Sequence, residues 1–249
     1  MFYEQMANHY HHIFPAAPKV PFLADAFMGY GTLLDIGCSD GRVAQALNAK
    51  GHPVTGIDLS DAMILVAKGL APSPTLHFAN LDMLEIEKHL GASAYHGLYC
   101  IGNTLVHLPS NEAISQALHG FFQVLKSDGR LVLQILNYDW FLEHQPATLP
   151  LIDNEILRFE RFYNYISDGQ GLDSHQVDFA TRLTIKATAE VFEGSTPLLP
   201  LTKKDLEAMV LEAGFKDLKW FGDYNGNPLT CDSTTLILVA DKLSSTIIK

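Results

Sequence analysis

Cysteine is scarce in this chain: three residues, Cys38, Cys100 and Cys231, far apart in sequence. The odd number and wide spacing argue against a disulfide framework or a zinc cluster and point to a reduced, cytoplasmic setting. Long apolar runs are missing too, since none approaches the roughly 18–20 residues that span a bilayer. The opening MFYEQMANHYHHIFP has no basic start, apolar stretch or small-residue cleavage site, so it does not read as a signal peptide. Basic charge is in short supply, with 17 Lys and Arg against 28 Asp and Glu and a formal net charge of −11. Proteins that track nucleic-acid phosphates draw much of their affinity from a basic surface. Neither nucleic acid nor a membrane is therefore an expected partner. Repeats and low-complexity linkers are absent. Apolar material is plentiful, at 47% hydrophobic against 18% charged, which suits a packed core. At 249 residues the chain reads as one large domain or a core carrying an insertion.

The first ~130 residues alternate β-rich runs with helical stretches. TLLDI (32–36), HPVTGIDL (52–59), TLHFAN (75–80), YHGLYCI (95–101) and RLVLQIL (130–136) read as strands. GRVAQALNAKG and DAMILVAKGL have helical spacing, the second capped by Ser60 or Asp61. Another helix opens at Asn111 and runs through Leu125, stopped by Ser127-Asp128-Gly129. This alternation predicts an α/β fold with a doubly wound, mostly parallel, seven-stranded sheet that binds ligands beyond the carboxyl ends of its strands. After Tyr138 the pattern changes. Residues 155–167 and 175–192 read as alternating strands around the turn-like SDGQGLD. A helix over 202–214 and a final antiparallel hairpin, FKDLKWFGDY and TTLILVADK, follow. The β-rich excursion is expected on one edge of the core.

In LLDIGCSDGRVA, Gly37 and Gly41 occupy the turn between the first strand and its helix. Gly37 can take positive φ and admit a ligand close to the main chain, and the helix start offers unpaired N–H groups. Asp58 ends the second strand, where a doubly wound fold places the acid that hydrogen-bonds a ribose. A nucleoside site is the expectation. A dinucleotide fingerprint would need glycines at 37, 39 and 42, where the chain has Gly37, Ser39 and Arg42.

The pattern that fits is D-x-G-x-x-x-G, and here the chain resembles the class I S-adenosylmethionine-dependent methyltransferases. DIGCSDG looks like their first motif, with Ser39 and Asp40 as departures; VTGIDLSDAMI looks like the second and NLDML the next. The resemblance implies a Rossmann-like methyltransferase fold and assigns S-adenosyl-L-methionine, with S-adenosyl-L-homocysteine as product, to Gly37, Cys38, Gly41, Asp58, Leu59, Met63, Asp82, Met83 and Ile101. Asp58 would take the ribose hydroxyls and Met63 would lie near the adenine. Asp82 would hold the adenine amino group, although the usual glycine before it is Leu81.

CIGNTLVHLPS (100–110) resembles the glycine and sarcosine N-methyltransferase branch, as do Asn137, Tyr138 and Asp139 after the fifth strand and Gly222-Asp223-Tyr224 in the hairpin. That branch implies a small-molecule acceptor facing Asn103, His107 and Tyr138, which are the catalytic candidates. Its arginine clamp before Asn-Tyr-Asp is Leu136 here, and Arg158, Arg161 or Arg182 could replace it. Aromatics of the insertion, Phe159, Phe162, Tyr163, Tyr165 and Phe179, serve either as an acceptor wall or as a small core. The expected plan is a single methyltransferase domain over 1–249. Residues 1–30 would form a helical lid including Tyr10 and Phe14, 31–144 the cofactor-binding core, 145–195 the β-rich acceptor cap, and 196–249 the last helix and hairpin. His9, His11 and His12 have no downstream ligand pair, so no metal is expected. The competing readings are a cofactor-binding but non-catalytic partner subunit and a nicotinamide oxidoreductase. A homodimer through the hairpin edge or the insertion is compatible with the pattern.

Overall fold

The computed structural model describes residues 2–167 and 175–244. Short apolar runs bounded by glycine turns form the parallel core. These are β1 (Leu33–Ile36), β2 (Val54–Asp58), β3 (Leu76–Asn80), β4 (Tyr95–Cys100) and β5 (Leu125–Leu136). Two further strands, β10 (Lys216–Phe221) and β11 (Thr235–Lys242), complete a seven-stranded sheet in the order β10-β11-β5-β4-β1-β2-β3. Only β11 runs antiparallel to its neighbour β5, and β10 pairs antiparallel with β11. The central stretches Leu131–Leu133 of β5 and Leu236–Ala240 of β11 are continuous apolar runs because both faces are covered there. Leu131, Leu133, Leu236 and Leu238 pack on one face and Val132, Ile237 and Val239 on the other.

Helices α3 (Val20–Ala26) and α4 (Arg42–Ala49) cover the second of these faces, burying Leu23 and Leu47. On the opposite face lie α6 (Ile86–Leu90), α7 (Asn111–Val124), α8 (Tyr138–His144) and α9 (Lys203–Glu212), burying Ile86, Ile114, Phe141 and Leu206. The helix α5 (Asp61–Lys68) is capped by Ser60, whose Oγ accepts from the Met63 N–H, and α7 is capped in the same way by Ser110. Thr202 caps α9. Among the described residues no helix is long and apolar enough to cross a membrane.

The expected stop at Ser127-Asp128-Gly129 is instead an irregularity inside β5. Its register against β4 shifts between Tyr95↔Leu125 and Gly97↔Arg130. Asp128 takes φ +60° there, and its carboxylate accepts bonds from the Ser244 N–H and hydroxyl. The run 175–192 is likewise two strands, β8 (His175–Ile185) and β9 (Val191–Leu198), separated by a turn in which Ala189 has φ +57°. They join β6 (Ile152–Asp153) and β7 (Leu157–Ser167) in a four-stranded antiparallel sheet, order β6-β7-β8-β9. The turn-like stretch between β7 and β8 falls at 168–173, outside the described residues.

This second sheet does not sit on an edge of the first. It caps the carboxyl ends of the parallel strands. Tyr163, Val177 and Leu198 join the main core, while Leu157, Phe159 and Leu183 pack with Met6, Ile13 and Met63. The N-terminal helices α1 (Phe2–Met6) and α2 (Tyr10–Ile13) thus close the same end of the sheet. Glu4 Oε2 accepts the Ala62 N–H at 3.2 Å, and Asn154 Nδ2 donates to the His12 carbonyl at 3.1 Å.

Arg130 secures the antiparallel return. Its Nε and Nη2 donate to the two oxygens of Asp241 at 2.7 and 3.0 Å, directly across the β5–β11 register, and Nη1 donates to the Ala26 carbonyl. Arg130→Met is expected to lower unfolding free energy by roughly 1.5–3 kcal/mol, as for loss of charged hydrogen bonds. Chemical denaturation followed by circular dichroism measures this; an unchanged midpoint would show that the pair is not a fastener.

Candidate active site

Between β1 and α4 the chain turns through left-handed conformations at Gly37 (φ +68°), Ser39 (φ +50°) and Gly41 (φ +77°). A side chain at Gly37 would strike Thr104, so the turn needs glycine for space as well as for φ. The Cys38 N–H donates to the Ile57 carbonyl at 2.9 Å. Asp58 then receives the Ser39 N–H on Oδ2 and the Ser60 N–H on Oδ1, each at 2.9 Å. Burial pushes the Asp58 carboxyl above its usual range, and the two backbone donors pull it back.

These turns open onto a cavity of about 620 Å³ at the carboxyl ends of the strands. Gly37, Asp58, Leu59, Met63, Leu81 and Met83 line one region, and Asn103, His107, Gln134 and Leu136 another. Leu149, Phe159, Arg161, Tyr163, Phe179 and Thr196, from the second sheet and the segment before it, complete the wall, with Glu4, Tyr10 and Phe14 from the N-terminal segment. An adjoining polar recess of about 20 Å³ holds Lys19, Asp35, Cys38, Asp40 and Ile101. Burial pushes Asp35 up to about 8 and lowers Lys19. Asp40 is flanked by Arg42, with Nε at 3.3 Å, and by His11 at 3.9 Å.

Beyond β4, Asn103 takes φ +66° and bridges two strand ends. Its Oδ1 accepts the Leu136 N–H at 3.0 Å, and its Nδ2 donates to the Tyr138 hydroxyl at 3.1 Å. Gln134 Oε1 accepts the Gly102 N–H at 2.7 Å and the Tyr224 hydroxyl at 3.2 Å. His107 sits in a short 3₁₀ turn, Leu105–His107, and burial lowers it to about 4.

Nine of the twelve site candidates line the cavity or its recess; three do not. Gly41 caps α4, where a side chain would meet Phe78 and Ala67, so its glycine serves packing. Asp82 caps a 3₁₀ turn, accepting the Leu84 N–H at 2.9 Å, while its neighbours Leu81 and Met83 reach the cavity. Tyr138 is fully buried and stands behind Asn103 rather than facing an acceptor. Of the insertion aromatics, Phe159, Tyr163 and Phe179 line the cavity, whereas Phe162 points outward. Arg158 and Arg182 pair with Glu160 and Glu193, and Arg161 alone of the three reaches the cavity. Lys19 and Gln134 belong to no motif. A lysine at the start of an apolar helix and a glutamine within an apolar strand are visible signals, but neither says which way the side chain points.

Residues 33–129 match the family model described as a methyltransferase domain. Over 216 residues the chain is 26% identical to a glycine/sarcosine N-methyltransferase of Aphanothece halophytica, covering 86% of this chain and 77% of that one. The structure of the CcbJ methyltransferase from Streptomyces caelestis superposes with a TM-score of 0.81 at 17% identity, over 98% of this chain and 99% of the other. CalS10, an amino pentose methyltransferase from Micromonospora echinaspora, gives 0.66 at 20% identity, over 96% and 94%. At such identities these two structures speak for the fold.

The half-buried His107 makes a prediction about pH. Between its ordinary 6.5 and about 4, the unfolded chain binds a proton at His107 that the folded chain does not. Stability from this group is therefore present above that window and lost as pH falls through it. Asp35 acts in the opposite sense, because folding raises its proton affinity and its contribution declines as pH climbs toward 8. Comparing wild type with His107→Gln isolates the histidine. Acidification from neutrality to about pH 4.5 should destabilise wild type by on the order of 2–3 kcal/mol more than the variant. Equal slopes in urea unfolding against pH would contradict a neutral His107.

Proposed function

We propose that this chain, which belongs to the class I S-adenosylmethionine-dependent methyltransferases, transfers a methyl group to nitrogen or oxygen of a small organic acceptor. One continuous cavity carries the reading: it runs from Gly37 and Asp58 to Asn103 and His107 and is roofed by the second sheet. It is large enough for two small ligands together, and its wall is mainly apolar with a few polar groups. The substrates named for the similar proteins, glycine or sarcosine and an amino pentose, are small amines. Acidic composition and unpaired cysteines support a cytoplasmic enzyme acting on a small molecule.

The residues fit the donor. Asp58, held by two backbone N–H groups, keeps lone pairs for a ribose diol. Gly37 brings its main chain to the cavity wall. Met63, Leu81 and Met83 offer an apolar bed for a base. In the recess, Lys19 suits a carboxylate, and Asp35 and Asp40 suit an ammonium, the two charges of an amino-acid end. When bound, the sulfonium cofactor supplies an already activated methyl group.

What remains for the protein is alignment and exclusion of water, and orientation alone supplies roughly 7–11 kcal/mol of such a barrier. Asn103 is pinned at both ends of its amide, by Leu136 and Tyr138, so it holds a fixed direction toward the acceptor. Tyr138 is thus a positioning residue. The low proton affinity that burial imposes on His107 suits it to accept a hydrogen bond and orient the acceptor, rather than to store the acceptor's proton.

Calorimetric titration with S-adenosylmethionine, S-adenosylhomocysteine and NAD tests the reading. Saturable binding of the two sulfur compounds alone is expected, followed by labelled methyl transfer to an amine or hydroxyl panel. Binding of NAD alone would overturn it. Asp58→Ala should weaken S-adenosylhomocysteine by about 10- to 100-fold, the worth of a charge-assisted hydrogen bond. An unchanged dissociation constant in this variant would remove Asp58 from the cofactor site.

A further inference from the structure

The chain has five arginines, and four of them face a carboxylate. Arg42 lies against Asp40, Arg130 against Asp241, Arg158 against Glu160 and Arg182 against Glu193. Arg161 has no such partner among the described residues. Its Nη2 donates to the Pro150 carbonyl at 2.7 Å, while its Nε is buried without a hydrogen bond. The guanidinium lies 5.9 Å from the Phe159 ring centre and lines the large cavity. Burial lowers its proton affinity, the Tyr163 phenol raises it, and no carboxylate among the described residues acts on it. Arg161 is half-buried, so its guanidinium has lost part of its hydration with no carboxylate beside it, and an anion in the cavity would make up that loss.

Its surroundings narrow what that something is. On β7 the side chains alternate, so Phe159, Arg161 and Tyr163 share the cavity face. Tyr163 pairs across the ladder with Phe179, and Leu136 and Leu149 lie on the same wall. Among the described residues, Arg161 is therefore the one charged side chain that the second sheet adds to this apolar wall, while Lys19 lines the cavity from the N-terminal segment. One positive charge balances a monoanion and leaves a phosphate dianion half-neutralised. The planar donor edge of a guanidinium matches a carboxylate. An apolar wall rewards a ligand with an apolar body and is left unfilled by a bare two-carbon acid.

We infer that Arg161 binds an acid group of the methyl acceptor, so that the acceptor is a monocarboxylate with an apolar body. This rests on the methyl-transfer reading of the cavity. Arg161 then selects the substrate from the second sheet, independently of the cofactor end.

The test uses the full chain saturated with S-adenosylhomocysteine. Phenylacetate, 4-aminobenzoate and octanoate are titrated beside their primary amides, with phenyl phosphate as the dianion. At least one acid should bind tenfold or more tighter than its amide and tighter than phenyl phosphate. Arg161→Gln should weaken that acid by about 10- to 100-fold, and Arg161→Lys should restore part of the loss by keeping the charge. Thermal melts and S-adenosylhomocysteine titration of each variant establish that it is folded. If acids bind no better than amides, if phenyl phosphate binds best, or if no probe binds, the inference is wrong. Equal acid affinity in Arg161→Gln also overturns it and leaves Arg161 as a brace for Pro150. In all these cases S-adenosylhomocysteine still binds, and the methyl-transfer reading stands. Failure of the wild-type chain to bind S-adenosylhomocysteine overturns that reading and takes this inference with it.

Discussion

Two backbone N–H groups converge on one carboxylate, and the architecture of the cavity follows from that convergence. Asp58 ends β2; Ser39 belongs to the turn after β1, and Ser60 precedes α5. By accepting from both, Asp58 locks two strand-to-helix turns into one rim. A buried carboxylate is tolerable only when hydrogen-bonded, so the same bonds that stabilise Asp58 also hold Ser39 in its left-handed conformation. The parallel topology puts the turn after β4 beside this rim, because right-handed crossovers return every strand in the same direction. Thr104 can then press on Gly37, and Asn103 can reach across to the end of β5.

The roof has different physics. Its inward face is largely apolar, and it packs onto both the main core and the N-terminal helices. Excluding water there raises the stakes for each charged group left inside. His107 is held neutral, Asp35 keeps its proton to about pH 8, and Lys19 binds its proton less tightly than usual. All three shifts have burial as their largest cause. An amino-acid end entering the recess would bring both signs of charge to groups that lack enough of their own. Affinity at that end is then linked to the protonation of Asp35 and Lys19.

Much of the fold was legible because its strands are short apolar runs between glycine turns, a pattern set by burial on both faces. The rim of the cavity was legible for a related reason: the turn after β1 demands glycine at Gly37 for its positive φ and for the approach of Thr104, and the strand-end acid Asp58 follows at a fixed distance. Gly41 and Asp82 carry the same residue types for local reasons, a helix cap and a 3₁₀ cap. Spacing cannot separate a cap from a contact. Tyr138 matched a motif by position, yet its role runs through Asn103, which only the side-chain geometry reveals. Lys19 and Gln134 belong to no motif, because their direction depends on how α3 and β5 pack.

The acceptor end was least legible, and the reason lies in strand register. β7 alternates Phe159, Arg161 and Tyr163 inward with Phe162 outward. A slip of one residue would reverse the faces and place Glu160 and Phe162 inside. That register is set by pairing with β8, Arg161 against Thr181 and Tyr163 against Phe179, and by the bond from the Tyr163 N–H to the Ala147 carbonyl. None of these partners is adjacent in sequence. The parallel core can therefore stay as it is while substitutions on one face of β7 and β8 change what the cavity accepts. Such a division lets the wall that the second sheet gives the cavity vary independently of the turns after β1 and β2.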